Sequence, residues 1–131
     1  MVTMTRPVGA WSVEDHLNGK GDEVRRLYAA FERLIRAAGP AERSVTKTAI
    51  VFKGRVRVFA GVTPRRRNLS GFLDLMEPAN EPPFTRASPY TSRLWVNRFV
   101  IESPNDLDDR FAQRVAEARA VGDGAHRSKS E

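Results

Sequence analysis

The chain has no cysteine among its 131 residues, which excludes disulfides, thiolate metal sites and cysteine nucleophiles. It has only two histidines, His16 and His126, so imidazole acid–base catalysis has little to draw on. No apolar run approaches the roughly 20 residues needed to cross a bilayer. Residues 1–10 lack a basic segment followed by a continuous apolar stretch, so no secretion signal is read there. Cytoplasm is the expected location. A glycine-rich phosphate loop is missing too, because Gly19-Lys20-Gly21 lacks the required spacing.

The most informative absence is local. Between Arg43 and Leu73 there is no Asp or Glu, while Arg43, Lys47, Lys53, Arg55, Arg57, Arg65, Arg66 and Arg67 all fall inside that stretch. The acids sit in the flanks, at Glu14, Asp15, Asp22 and Glu23 and again at Asp106, Asp108 and Asp109. With a net charge of +6, this segregation gives the folded chain a positive side that attracts anions.

What is present fits one domain. Residues 1–11 read as a flexible arm, residues 12–122 as a single domain and residues 123–131 as a disordered polar tail. Ser12 reads as a helix cap with Asp15 at the third helical position. Asp22 then caps a longer helix whose apolar residues Val24, Leu27, Tyr28, Phe31, Leu34, Ile35 and Ala38 make one stripe, ended by Gly39-Pro40. Two β-rich runs follow at residues 45–52 and 55–62, joined by Lys53-Gly54. In the second, Val56 and Val58 face inward and Arg55 and Arg57 outward, with a bulge placing Ile50 and Phe52 on the valine side. Thr63 to Arg67 is a turn, residues 68–76 a third strand, and residues 77–90 a Pro-rich loop that is either a lid or a connector. Residues 93–102 form a fourth strand, apolar on both faces. Ser103-Pro104 opens a last helix with the stripe Leu107, Phe111, Val115 and Ala118. The expected fold class is α+β: helix, four-stranded antiparallel sheet, helix, with both helices on one face of the sheet.

Four segments carry a resemblance: Val13-Glu14-Asp15-His16-Leu17, Thr46-Lys47-Thr48, Val62-Thr63-Pro64-Arg65-Arg66-Arg67, and Ser103-Pro104 with Leu107-Asp108. In order and spacing they resemble the bacterial domain-of-unknown-function family 5655, sometimes labelled predicted transport protein, over about residues 12–122. The family has no established activity, so the resemblance implies a fold and no function. It often has histidine near the start of the fourth strand, where this chain has Trp95 and Asn97.

No catalytic residue, metal ligand or cofactor is expected. His16 beside Glu14 and Asp15 reads as part of a capping turn, and Asp106, Asp108 and Asp109 as acids favoured at a helix start. Six cations form the candidate anion-binding set: Lys47, Arg55, Arg57, Arg65, Arg66 and Arg67. Phe59 and Phe72 are candidate stacking rings if one sheet face is open. The leading expectation is a non-catalytic binding module for nucleic acid or another polyanion. The alternative is a small-ligand or enzymatic domain, with a pocket for a phosphorylated or carboxylated metabolite between the sheet and the Pro-rich loop. A third is a structural homodimer formed through Trp95 and Phe99. No membrane partner is expected.

Overall fold

The computed structural model describes residues 11–127, so residues 1–10 of the expected arm and residues 128–131 of the expected tail lie outside the described residues. The first short helix, α1 (Val13–Leu17), is capped as its sequence predicts, with Ser12 and Asp15 satisfying each other's backbone amides. The long helix α2 (Asp22–Ala37) starts one residue earlier than expected, on Gly21, and Asp22 becomes its first helical residue. Its buried stripe is Val24, Leu27, Tyr28, Phe31 and Ile35, the 3.6-residue period of a helix packed on one side.

Among the described residues the sheet has six antiparallel strands, not four: β1 (Glu42–Val45), β2 (Ile50–Lys53), β3 (Val58–Pro64), β4 (Leu69–Leu75), β5 (Phe84–Thr91) and β6 (Leu94–Ile101), in the order β1-β2-β3-β4-β6-β5. Two of the expected elements divide differently. The run at 45–52 is interrupted by a turn in which Thr46 Oγ1 accepts from the amides of Thr48 and Ala49. That side chain ends β1 and turns the chain into β2. The expected Pro-rich loop contains β5, an edge strand that accommodates Pro89 because an outer strand can lack a ladder donor.

A bulge is present, but its extra residue is Phe59, and it leaves Ile50 and Phe52 on the face opposite Val58, not on the valine side as expected. Phe52 pairs with Ala60 and Lys53 with Val58, which turns Phe59 to the helix side and Val58 to the other. Phe59 is fully buried and lies against Gly122, where a Cβ would collide with its ring. Arg55, Val56 and Arg57 belong to the loop before β3, and Val56 is exposed, so the expected Arg/Val alternation there is not that of a strand.

One face of the sheet is covered by α2 and by α3 (Asp109–Gly122). Phe31 of α2 meets Phe52, Phe99 and Phe111 at ring-centroid distances of 6.1, 5.7 and 6.3 Å, joining both helices and the sheet in one core. Phe99 is enclosed there, so it is not available to the homodimer expected through Trp95 and Phe99. The last helix is preceded by a 3₁₀ turn, Pro104–Asp106, capped by Ser103. Asp108 caps α3 itself, accepting from the Phe111 amide at 2.9 Å. Asp106 accepts from the amides of Glu102 and Ser103, so these acids serve the backbone.

Residues 76–83 pack on the helix side. Asn97, buried, accepts from the Ala79 amide at 2.7 Å and donates to the Glu77 carbonyl at 3.2 Å. Arg114, buried on α3, donates to Glu77, Glu81 and Glu117 at 2.7–3.2 Å. The expected tail also docks where it is described. Asp123 Oδ1 accepts from the Arg55 amide and His126 O from Arg93, beside Gly122 at the end of α3, whose carbonyl accepts from the amides of Val56 and Arg57.

Candidate functional site

Because residues in a strand alternate, the sheet's second face is set by the same register as its core. On β4 the residues opposite the core are Ser70, Phe72 and Asp74, and on β6 they are Val96, Arg98 and Val100. No described helix covers this face. Phe72 is half-buried because it lies down on β3: a Cβ at Gly61 would meet its ring at 2.5 and 3.0 Å. The glycine is the space in which the ring rests.

Two grooves share Phe72 and Arg98. One, of about 480 Å³, adds Thr63, Arg65, Ser70 and Thr85. The other, of about 310 Å³, adds Arg57, Val58, Asp74, Tyr90 and Val96. A third, of about 430 Å³, adjoins the first through Thr48, Thr63 and Arg65 and runs to Lys47, Lys20 and His16. The Thr63 hydroxyl donates to Thr48 O at 2.8 Å, holding the β1–β2 turn beside β3. The His16 ring meets Thr46 O at 2.8 Å, and Lys20 Nζ donates to His16 O at 3.1 Å.

The six expected cations separate into two groups. Lys47 and the Arg65, Arg66, Arg67 turn stand together at one end of β2 and β3, while Arg55 and Arg57 stand at the opposite end. Lys47, Arg65, Arg66 and Arg67 are exposed. Arg65 Nε donates to Ser70 Oγ at 3.1 Å, and among the described residues none of the four pairs with a carboxylate. Arg57 is not a free cation: its Nη2 is 2.7 Å from Asp74 Oδ2, and its Nε donates to Val58 O. Arg55 is exposed beside Lys53 and Arg119, away from the grooves that share Phe72.

Of the two expected stacking rings, Phe72 is on the open face and Phe59 is in the core. Sequence reasoning passed over Arg98, Asp74 and Tyr90. The signal for Arg98 was the outward period Val96, Arg98, Val100. Asp74 had the same signal, two residues after Phe72. Tyr90 had none, because its strand lacks the alternation of a half-buried one.

Asp74 is the unusual group of this face. It is 4% exposed, and Oδ1 has no hydrogen-bond partner among the described residues. Burial raises its pKa above the ordinary carboxylate value, against the opposing pull of the Arg57 charge. Tyr90 covers the pair from β5, its ring centroid 5.4 Å from Arg57 Cζ. The pocket expected between the sheet and the Pro-rich loop takes a different form: only β5 reaches the grooves, through Thr85 and Tyr90.

The family described as Domain of unknown function (DUF5655) matches residues 13–119, and the chain belongs to it. No curated protein and no solved structure matches the chain.

Proposed function

We propose that this member of the family is a binding module for single-stranded nucleic acid, which lies across the open face of the sheet. The observation that carries the reading is the company of Phe72. Arg65 and Arg98 line its groove, Lys47 stands in the adjoining one, and no described carboxylate pairs with any of the three. Among the described residues Arg25, Arg36, Arg43, Arg57, Arg114 and Arg119 meet acids, while Arg26, Arg33, Arg55 and Arg86 do not. What sets Arg65 and Arg98 apart is that they line one groove with Phe72. Cations left without acidic partners around a ring suit phosphates on either side of a stacked base. Arginine suits the task because its planar fork holds a phosphate at two points.

Replacing Arg65 and Arg98 together by glutamine tests this. Affinity for a single-stranded oligonucleotide is expected to fall, and the slope of log affinity against log salt to flatten by about 0.7 for each phosphate no longer held. The unfolding midpoint is expected to hold, since neither arginine has an acid partner to strand. Unchanged affinity with a large loss of stability would make both arginines structural and defeat the reading. A second reading, a small phosphorylated or carboxylated ligand, draws on the groove between Lys47 and Arg65, whose 430 Å³ is in the range of small-ligand pockets. Saturable binding of ribose 5-phosphate, with none of an oligonucleotide, would favour it.

A further inference from the structure

The 310 Å³ groove is built differently from its neighbours. Its walls are two rings, Phe72 and Tyr90, and two valines, Val58 and Val96. Within these apolar walls lies one carboxylate, Asp74, whose Oδ2 is committed to Arg57 and whose Oδ1 is paired with nothing described. A buried acceptor without a donor is a fault in a folded core and an opportunity in a binding site. Arg57 spends Nε on Val58 O and Nη2 on Asp74, and no described group occupies its Nη1. The pair therefore offers an unused acceptor beside an unused donor.

Oδ1 is sealed from solvent in this arrangement, so something must move before a ligand reaches it. Tyr90 is the movable part. It is 59% exposed, and it falls at a register irregularity between Pro89 and Thr91, where it has no partner on β6. What holds its ring over Arg57 is a cation–π contact, an attraction that a stacked base replaces in kind.

The chemistry of the groove selects among ligands. An acid is repelled by Asp74, and an aliphatic group leaves Oδ1 unpaired. A planar, neutral heterocycle with N–H donors beside a carbonyl acceptor meets every requirement. Guanine is such a ring: its N1–H and 2-amino group face a carboxylate, and its O6 faces a guanidinium. Arg98, on the rim shared with the larger groove, is placed for the phosphate that the base carries.

We infer that this groove is a guanine pocket in which Asp74 reads the base edge, Phe72 and Tyr90 stack on it, and Arg57 orients the carboxylate. The inference rests on the single-strand reading above and adds a base preference to it. The test uses the full chain and fluorescence anisotropy with three labelled deoxynucleotide nonamers: all adenine, and the same with guanine or hypoxanthine at the centre. The guanine nonamer is expected to bind roughly tenfold tighter than the all-adenine one, as one bidentate base contact typically gives. Hypoxanthine, which lacks the 2-amino group, is expected to fall between them. Asp74→Asn, verified as folded by circular dichroism, is expected to bring all three within about twofold. The hypoxanthine comparison needs no variant, so it stands even if Asp74→Asn does not fold. Equal affinities for all three on the wild-type chain would overturn the guanine pocket and leave the single-strand reading intact. No binding of any nonamer would overturn both.

Discussion

Gly61 is a residue whose value lies in what it leaves out. It sits on the open face of β3, and the Phe72 ring occupies the volume a side chain would take. Gly61→Ala puts a methyl group into that ring and against Val51, whose Cγ1 would be 3.1 Å away. Overpacking of this kind typically costs about 1–3 kcal/mol. The expected result is a lower urea midpoint together with weaker oligonucleotide binding, since the ring is lifted from its bed. A wild-type midpoint would mean that Phe72 yields without cost. Gly122 shows the same device on the other face, where the missing Cβ admits the Phe59 ring to α3. The sequence does not say which ring each glycine admits. For Gly122 that depends on a one-residue bulge at Phe59, and a bulge changes the face of a residue without changing its neighbours in the chain. For Gly61 it depends on the β3–β4 register, which sets it opposite Phe72.

At the scale of elements, the connection from β4 to β5 is held by a buried guanidinium as well as by Asn97. Arg114 holds Glu81 through two hydrogen bonds and Glu77 through a third, and this holds the carboxyl of Glu81 down to about 2. A carboxylate whose folded pKa lies below its unfolded value, about 4.3, stabilises the fold above that unfolded value. The contribution is lost as pH falls through the folded one. The melting temperature is therefore expected to fall as pH drops from about 5 towards 2, and Glu81→Gln to be flatter over that window. A variant with the wild-type pH profile would remove Glu81 from the clamp. The elements legible in the sequence were those with a strong period or cap, α1, α2, β4 and β6. Those it hid were the edge strands. β1 is polar and largely exposed and β5 carries proline, so neither shows the alternation of a half-buried strand. Their pairing comes from neighbours distant in the chain. The candidate site was legible to the same extent: the Arg65, Arg66, Arg67 turn and Phe72 stand where their sequence predicts, while the Arg57–Asp74 pair depends on an interaction across 17 positions.

At the scale of the molecule, the sheet is closed at one end by the chain that follows α3. Composition predicts that residues 123–131 add nothing, yet Asp123 and His126 accept bonds from Arg55 and Arg93. Truncation after Gly122 removes both. Net contributions of about 0.5–1.5 kcal/mol per hydrogen bond put the expected loss at about 1–3 kcal/mol. That is a fall in melting temperature of several degrees, read by differential scanning calorimetry. A change within about a degree would show that these bonds are offset by solvent and that composition is the better guide.

The placement of the grooves along β3 also works as a ruler. Arg57 precedes this strand and Arg65 follows it, and the strand between them, Val58–Pro64, is 7 residues long. At about 3.3 Å per residue, the two arginines, one before and one after this strand, mark an interval of roughly 25 Å along the backbone, with Phe72 lying across β3 between them. A ligand that engages both ends must be at least that long. On the single-strand reading, a lone nucleotide would reach the proposed base pocket or the cation turn, but not both. On the same reading, the footprint of this surface would be a handful of nucleotides, near the short end of the roughly 4–16 covered by an OB fold. Affinity would then rise with oligonucleotide length in a step, once the chain is long enough for its second anchor.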